Sequence, residues 1–463
     1  MDHGNGFPGR VQLRSGLIAA SLLASSALLA APGDPLDPPT RPSAVAEHQQ
    51  YALTVARATS GAYAALWYES SEDPAITGLY ARAYAADGTP RGPAFLVDPS
   101  LQGRLGGGRI VMDAAGRFLV SWTTDRAIMG RHFADDGAPM GPALQLASRP
   151  PLGELLRDNY QLAMAPDGRY VLLLERTLDT SSPVRLLPVT ITLQRFEADG
   201  RKRGLPILAA TRLDYDLRLP FGLGPAIPPE LRRQQLSRAS SLALDAAGNI
   251  ALAWISWEHN AYYPGDYGLG NGYGSLKAAV KLRRISAGGL PQGGVVLVDQ
   301  LSAMTLSTAA NYQVSPQVVR EPDGDMVVAW QRPGAGLQAR RYSRDGGAAG
   351  PAITVATAAQ VMSDAAFDLA VAANGHSVLA WTAPRVPPLS SYENSRVRAR
   401  LYDGSGTALT GPLAADDSAD GGQVNPQLGI DADGGFVLAW HSLVQTGPVN
   451  YDNTGYLRRY AGQ

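Results

Sequence analysis

The sequence predicts an all-β fold. Two recurring sequence patterns support that prediction, and no helical pattern of apolar residues competes with them. In six places a glycine is followed six residues later by a tryptophan, and a seventh copy has Gly168 and Leu174 in the same positions. An Arg-x-aromatic pattern follows most copies, with a glycine four residues after the aromatic. No stretch keeps a helical period of apolar residues for long. Seven copies of one antiparallel unit predict a seven-bladed β-propeller of four-stranded antiparallel blades.

The first pattern spans the turn between the first and second strands of a unit and the second strand itself. The segment Asp431–Trp440 illustrates it, because an Asp/Gly-rich turn is followed at once by an apolar strand. Asp, Asn and Gly are the residues that tight hairpin turns require. The Gly/Trp pairs are Gly61/Trp67, Gly116/Trp122, Gly248/Trp254, Gly324/Trp330, Gly375/Trp381 and Gly434/Trp440.

The second pattern marks the third strand and the turn into the fourth. Its regular copies are Arg82/Tyr84, Arg131/Phe133, Arg340/Tyr342, Arg400/Tyr402 and Arg458/Tyr460, and Arg283 occupies the position in the fourth unit. A ring of arginines could bind an anion. One arginine per blade at a fixed strand position is better explained by packing, and we expect it to lie over the repeat tryptophan.

These two patterns together resemble a repeat found in tandem in secreted bacterial proteins, of the form Asp-Gly-x-Phe-Val-Val-x-Trp followed by Arg-x-Tyr-Asp-x-x-Gly. They are also loosely similar to kelch and related propeller blades. The resemblance covers roughly residues 51–460. It implies blade architecture and implies no ligand or activity.

The N-terminal residues have the composition of an export signal. Arg10 and Arg14 precede an uncharged, Leu/Ala/Ser-rich run, and small residues follow at Ala30 and Ala31. We therefore predict a signal peptide over 1–31, a Pro-rich linker over 32–42 and the propeller over 43–463, in a protein that is secreted to the periplasm or outside the cell. A membrane anchor is the alternative, but the run is short and rich in serine.

The seventh unit ends after its third strand. An unpaired outer strand is an aggregation hazard, so we predict that Ser43–Glu47 pairs with Tyr456–Tyr460 and completes the last blade as an N-terminal strand. The alternative is a seventh blade with three strands.

Connection lengths differ between the two faces of the predicted ring. Because the strands alternate in direction, the first and third connections of each blade lie on one face, which we call the turn face. The second connections and the links between blades lie on the other, the loop face. Lengths are nearly constant on the turn face. On the loop face they vary, with 256–274, 382–394, 441–453 and 211–239 the longest. Variable loops on a rigid scaffold are typical of binding sites, so the loop face is the predicted binding face.

The most distinctive loop is 257–273. Its candidate ligand-binding residues are Trp257, His259, Tyr262, Tyr263, Tyr267 and Tyr273. Tyr and Trp offer large contact areas with a polar tip, which suits stacking on sugar rings or gripping a peptide. The alternative is that the loop folds over the mouth of the ring and packs on itself.

Several function classes are excluded or disfavoured. Lys plus Arg total 40 and Asp plus Glu total 41, so no basic footprint for nucleic acid exists. Cysteine is absent, no histidines have metal-ligand spacing, and the Asp-x-Asp-Gly segments are explained by turn chemistry rather than calcium, so no metal or cofactor is expected. No membrane span is expected after signal removal, and a monomer is expected.

The favoured hypothesis is a secreted, non-enzymatic propeller that binds a glycan or protein through its loop face. The alternative is an extracellular carbohydrate-active hydrolase or lyase, and a surface structural module is a third possibility. The catalytic residues of such an enzyme are unknown. Its carboxylates would come from the loop-face acids Asp214, Asp216, Glu230, Glu258, Asp266, Glu393 and Asp452.

Overall fold

Twenty-seven strands account for nearly all regular structure in the described residues. The computed structural model of the chain describes residues 30–45, 48–103, 107–148, 159–177, 186–215, 240–259, 276–304, 316–362, 366–385, 394–416, 421–447 and 451–462. One compact unit spans Ala31–Gln463, and of the remaining unit, Met1–Ala30, only Ala30 is described.

The strands form six four-stranded sheets and one three-stranded sheet, each antiparallel and in chain order. Blades 1 to 3 consist of β1 (Gln49–Arg57), β2 (Tyr63–Ser70), β3 (Gly78–Tyr84), β4 (Phe95–Leu96); β5 (Gly108–Met112), β6 (Phe118–Thr123), β7 (Ala127–Phe133), β8 (Leu144–Ser148); β9 (Asn159–Met164), β10 (Tyr170–Thr177), β11 (Leu186–Phe196) and β12 (Lys202–Tyr215). Blades 4 and 5 consist of β13 (Ser240–Leu244), β14 (Ile250–His259), β15 (Leu276–Ile285), β16 (Val296–Met304); β17 (Gln317–Arg320), β18 (Met326–Arg332), β19 (Gly336–Tyr342) and β20 (Ile353–Ala356). Blades 6 and 7 consist of β21 (Phe367–Val371), β22 (Ser377–Pro384), β23 (Ser395–Tyr402), β24 (Leu413–Ala414); β25 (Gly422–Ile430), β26 (Phe436–Gln445) and β27 (Tyr451–Tyr460).

The blades close into a ring. The first strand of every blade contacts the first strand of the next, and β25 of the last blade contacts β1 of the first. The one helical element that lies wholly within the described residues is a 3-10 turn, Pro99–Leu101. The predicted seven-bladed all-β propeller is therefore confirmed, with every repeat unit forming one blade. No helix within the described ranges is long and apolar enough to span a membrane.

The repeat glycines hold the turns of the turn face. All seven glycines of the first turns, from Gly61 to Gly434, have φ between 81° and 97°. Side chains with a Cβ rarely adopt that conformation, which explains why glycine recurs there. Aspartate side chains complete the turns, as at Asp403, whose Oδ1 accepts from the backbone N–H groups of Ser405 and Thr407 at 2.8 Å each. The turn aspartates thus perform the structural role expected from the sequence.

Each repeat tryptophan packs between its own blade and the one before it. The structure contains seven buried apolar clusters, one for every pair of neighbouring blades. Trp330, for example, belongs to one such cluster together with Ile255 and Val280 of blade 4. Leu174 takes the tryptophan position between blades 2 and 3. The ring is held by these seven interfaces, since no covalent crosslink is possible without cysteine.

The repeated arginine is structural, although its partner is not the predicted tryptophan. Arg82 lies over the ring of Tyr84, two residues along the same strand, at 5.7 Å from the centroid. Its Nε donates to the backbone carbonyl of Gly92 in the turn of the same blade at 3.0 Å. Arg131, Arg340 and Arg458 stack in the same way on Phe133, Tyr342 and Tyr460. Through these contacts, the guanidinium groups hold the turn before the fourth strand of a blade against the third strand.

Residues 33–42 lie along the free edge of β27. Backbone N–H groups of Gly33, Leu36 and Thr40 donate to β27 and the following residue at 2.9–3.0 Å, and Pro35 and Thr40 form isolated bridges with β27. Arg458 Nε donates to the Asp37 carbonyl at 2.8 Å, just as Arg82 donates to Gly92. The segment therefore contacts β27 where a fourth strand lies in the other blades, but it forms two bridges rather than a continuous strand.

This arrangement differs in register from the predicted latch. The pairing with Tyr456–Tyr460 was expected from Ser43–Glu47, of which residues 46 and 47 lie outside the described residues. Ser43 instead donates through Oγ to Glu69 of blade 1 at 2.9 Å. The same carboxylate accepts from the Trp67 indole at 2.9 Å and lies 2.7 Å from His48 Nδ1. The edge of β27 is thus met by the Pro-rich segment, whose fixed φ angles and missing N–H groups favour a few bridges over a full ladder.

His441 lies buried where blade 7 meets blade 1. Its Nε2 accepts the backbone N–H of Leu53 at 2.9 Å, so the ring is neutral with its proton on Nδ1. Burial lowers the pKa of His441 to about 4. The unfolded chain therefore binds a proton at His441 between about pH 6.5 and pH 4 that the folded protein does not.

We predict that this histidine makes the fold acid-labile. The unfolded state takes up the extra proton as the pH falls. The contribution of His441 to the free energy of unfolding is therefore fully present above about pH 6.5, and about 3 kcal/mol of it is lost as the pH falls towards 4. His441→Gln keeps an acceptor for Leu53 without a titrating ring, so its urea midpoint should fall less steeply over this pH range than that of the wild type. His376→Gln, at a half-buried turn, is the control. Parallel pH profiles for wild type and His441→Gln would contradict the assignment.

Candidate functional site between blades 3 and 4

The predicted aromatic loop begins at the loop-face end of blade 4. Trp257 and His259 belong to β14, where their backbones pair with Ala278 and Leu276 of β15. The side chains of these two residues, and the whole of Tyr262, Tyr263, Tyr267 and Tyr273, lie outside the described residues. The described residues therefore do not test the prediction that this loop binds a ligand. The strands that carry the loop, however, are described.

Two of the longest loop-face connections leave from opposite walls of one cleft. Strand β12 of blade 3 runs to Tyr215, and the chain returns at Ser240, the first residue of β13. Strands β14 and β15 of blade 4 run to His259 and from Leu276, on either side of the aromatic loop. By contrast, the connection predicted over 441–453 is largely strand, since β26 and β27 extend to Gln445 and from Tyr451.

The cleft holds a cavity of about 530 Å³. That volume lies in the range of roughly 300–1,000 Å³ typical of small-molecule sites. Its lining is Ala210 and Thr211 from blade 3 and Trp254, Ala279, Lys281, Arg283, Val295, Leu297 and Gln300 from blade 4. The lining combines apolar side chains with two cationic ones and contains no acidic side chain.

A row of facing side chains across blade 4 builds one wall of the cavity. Trp254 is paired with Lys281 of β15, and Lys281 is paired with Leu297 of β16. Cross-strand partners project on the same side of a sheet, so these three lie side by side facing blade 3. Leu297 keeps 55% of its surface exposed, which marks the open, outer end of the row.

A buried ion pair lies beside this wall. Arg212 of β12 donates to Glu175 of β10 at 3.0 Å, and both side chains are only 3% exposed. Ser240 Oγ also donates to Glu175, and Ser240 is the cross-strand partner of Trp254. The carboxylate is thus held by an arginine and a hydroxyl from two blades. Removing one partner of such a pair is costly, so the cluster holds β10 and β12 of blade 3 against β13 of blade 4.

The repeat indoles differ from blade to blade in whether their N–H finds an acceptor. The Nε1–H of Trp67 donates to the Glu69 carboxylate, that of Trp330 to the Asp299 carboxylate at 2.8 Å, and that of Trp381 to the Gln360 carbonyl at 2.9 Å. Trp122 and Trp254 are each 2% exposed, and the Nε1 of neither has a hydrogen-bond partner among the described residues. Of these two, Trp254 is the one that lines the cavity. Buried donors are almost always paired, so an unpaired one that lines a cavity marks a place for an acceptor.

The acids proposed for catalysis are placed only in part. The side chain of Asp452 is described and accepts from Gln49 Nε2 at 2.7 Å. Asp214 and Glu258 lie in β12 and β14, with side chains outside the description, and Asp216, Glu230, Asp266 and Glu393 fall outside it altogether. No pair of catalytic carboxylates is therefore defined. In the part of the chain that the structure describes, no three potential metal ligands come together.

Comparisons with known proteins return structural likenesses only. No family model matches the chain, and no curated protein matches it. A protein of unknown function from Dyadobacter fermentans is similar over 91% of this chain and 98% of its own, with 13% identity and a TM-score of 0.42. An ulvan lyase of polysaccharide lyase family 25 is similar over 88% and 94%, with 12% identity and a TM-score of 0.44.

A third solved structure is prolyl oligopeptidase B from Galerina marginata, with 12% identity and a TM-score of 0.37. The match covers 84% of this chain and 46% of that enzyme, so the chain spans about half of its length. At such identities and scores, these likenesses carry no information about the ligand or activity of this protein.

Sequence reasoning located the region but missed the residues that define the cavity. Trp254 is one of six repeat tryptophans, and nothing in its repeat distinguishes it from Trp330. The difference lies in the preceding blade, which supplies Asp299 to Trp330 and no described acceptor to Trp254. Acceptors at this position come from different strands and loops in different blades, so no fixed spacing reveals their presence or absence.

Proposed function

We propose that this protein is a secreted binding module that takes a carbohydrate in the cleft between blades 3 and 4 of its propeller, with further contacts from the connections of the loop face. One observation carries the proposal: a cavity of about 530 Å³, with an unpaired buried indole N–H in its wall, lies between the strands from which two of the longest connections depart. Concave sites with mostly apolar walls and a few fixed polar groups are typical of small-ligand recognition.

A sugar fits this site better than a folded protein partner does. A cavity is suited to a small, compact unit, whereas protein interfaces are broad and comparatively flat. The predicted aromatic loop 257–273 leaves the same pair of strands and would add Trp and Tyr rings for stacking against a pyranose. Rigid strands place the polar groups, and the loop supplies the adjustable contacts.

The proposal predicts that loop and cavity act together. Replacing 260–275 by the short connection of blade 2, residues 124–126, should leave the thermal midpoint within a few degrees and abolish binding on a glycan array. Replacing 333–335 of blade 5 by the same connection is the control and should leave binding unchanged. If wild type binds no glycan at any tested concentration, or if the loop exchange binds as well as wild type, this function is wrong.

An extension of the same experiment distinguishes the binding module from the alternative function, a carbohydrate-active hydrolase or lyase. The glycans that bind are incubated with wild type, and released reducing ends or unsaturated products are measured over a day. Product release that is lost on substituting the loop-face acids would favour the enzyme. Binding without any product would favour the module.

A further inference from the structure

We propose that the turn face carries a second binding site, a pocket between blades 2 and 3 that takes the guanidinium group of an arginine side chain from a partner polypeptide. The pocket has a volume of about 240 Å³ and shares no lining residue with the carbohydrate cleft. Its occupant is indicated by the arginines that contact the same kind of turn at the other junctions between blades.

At five junctions in the described residues, an arginine of one blade donates to a turn carbonyl of the next blade. Four of these arginines lie on the third strand, between the repeat arginine or its replacement and the aromatic or its replacement. They are Arg459, which donates to the carbonyl of Ala86 at 2.8 Å, Arg195 to Ala287 at 2.8 Å, Arg284 to Arg344 at 2.5 Å and Arg341 to Gly375 at 3.4 Å. Blade 1 has Ala83 at this position, and Arg91 of the same blade donates instead to the carbonyl of Asp135 at 3.5 Å. The turns therefore offer carbonyl oxygens that bind guanidinium groups.

The junction between blades 2 and 3 is different. Blade 2 has His132 at the arginine position, and among the described residues no side chain donates to the carbonyl of Ala198, the counterpart of Ala287. Histidine is shorter than arginine, and the pocket lies between these two residues, which both line it. His132 Nε2 is buried without a hydrogen-bond partner. Buried polar atoms are almost always paired, so the pocket has a place for a polar group from outside.

The remaining junction, between blades 6 and 7, does not offer a second example. Blade 6 has Leu401 at the arginine position. Blade 7, however, has three strands and no turn between a third and a fourth strand in the described residues. The second turn of blade 3, which contains Ala198, is therefore the one that faces a neighbouring blade without an arginine to meet it.

The lining of the pocket suits an arginine side chain. Phe118, Met140, Leu144 and Met164 supply apolar surface for the methylene stem. Asp199 follows Ala198 in the turn and adds a carboxylate to the lining. That carboxylate lies 2.7 Å from Arg201, but the arginine is 80% exposed, and surface pairs of this kind contribute little. A guanidinium group in the pocket has a carbonyl and a carboxylate as neighbouring acceptors.

The other charged groups of the lining do not repel a cation. Asp113, 3% exposed, accepts from Arg117 Nε at 2.7 Å, so these two charges balance. Burial lowers the pKa of His132, and its ring is therefore neutral at pH 7. The volume is below the roughly 300–1,000 Å³ of typical small-molecule sites, which suits a single side chain. Because guanidinium presents several donors in a planar fork, it can meet two acceptors at once, whereas lysine is a point charge.

The test measures binding of acetylated and amidated tripeptides to the full chain by ligand-observed NMR. The peptides are Gly-Arg-Gly, Gly-Lys-Gly and Gly-citrulline-Gly, since citrulline keeps the shape of arginine and removes its charge. We expect the arginine peptide to bind about tenfold more tightly than the citrulline peptide, and more tightly than the lysine peptide. His132→Arg supplies the missing side chain from within. It should raise the thermal midpoint and weaken binding of the arginine peptide by about tenfold.

Asp199→Asn and Asp136→Asn form a matched pair that does not disturb the fold. Each carboxylate accepts a backbone N–H two residues ahead, from Arg201 at 3.0 Å and from Ala138 at 2.8 Å, and asparagine keeps an acceptor for it. Of the two, Asp199 lines the pocket. Asp199→Asn should weaken binding of the arginine peptide by about tenfold, and Asp136→Asn should leave it unchanged.

Equal binding of the arginine and citrulline peptides, undiminished binding by His132→Arg, or equal effects of the two asparagine variants would overturn the inference. Binding of N-acetylarginine amide as tight as that of the tripeptide would overturn the polypeptide partner and assign the pocket to a small guanidino compound. Absence of binding to every arginine probe would also overturn the site. These outcomes are independent of the proposed function, because His132→Arg should leave carbohydrate binding unchanged.

Discussion

A chain that starts at Ser43 should be several kcal/mol less stable than one that starts at Ala31, and it should self-associate. Five backbone hydrogen bonds join residues 33–40 to β27 and Ala461. With about 0.5–1.5 kcal/mol net for each bond, we expect a loss of about 2.5–7.5 kcal/mol. The measurements are the urea midpoint and the elution volume in size-exclusion chromatography, since removal of the segment exposes the edge of β27.

A point substitution separates the role of the segment from the general effect of shortening the chain. Asp37 accepts from the backbone N–H of Arg459 at 3.0 Å and from its Nε at 2.6 Å. Asp34, three residues earlier, uses its side chain only within its own turn, on the N–H of Ala31. Asp37→Ala should therefore lower the midpoint clearly and Asp34→Ala should not. Equal stability of the two truncated chains would show that blade 7 needs no fourth strand.

The repeat made most of the fold predictable, because each blade position has one steric requirement. A glycine with φ near +85° can be recognised wherever the turn recurs, as at Gly116 and Gly375, and a buried indole recurs wherever two sheets face each other. The register of the N-terminal segment was predicted a few residues too late. Because the prolines of this segment lack N–H groups, its sequence does not have the pattern of a strand. Its position is set instead by its hydrogen bonds to β27.

The candidate site was predictable only as a region. Loop length and aromatic content pointed to blade 4, and the two strands that carry that loop, β14 and β15, both line the cavity. The chemistry of the cavity depends on which blade supplies an acceptor to its neighbour's tryptophan, and such contacts join residues far apart in the chain, as between Asp299 and Trp330. In blade 1 the acceptor instead lies on the tryptophan's own strand, as Glu69 follows Trp67 by two residues, so no single spacing in the sequence predicts which tryptophan has an acceptor.

Removing the indole of Trp330 should cost about 3–5 kcal/mol, since large-to-small substitutions of aromatic residues in a packed core lose both transfer energy and cavity energy. Trp330 is 2% exposed and packs among side chains of blades 4 and 5. Trp330→Ala also leaves Asp299 without its indole donor, with only Arg332 at 3.5 Å as a partner. We therefore expect the urea midpoint of Trp330→Ala to fall well below that of the wild type.

Trp254→Ala provides the comparison that makes this result informative. Trp254 has the same repeat position and the same 2% exposure, but one side of it borders an existing cavity and its N–H has no protein partner. The substitution enlarges a cavity instead of creating one and leaves no acceptor unpaired, so its cost should be at least 1 kcal/mol smaller than that of Trp330→Ala. Equal losses for the two variants would mean that the cleft between blades 3 and 4 is packed as tightly as its neighbours. The site would then have no room for a ligand.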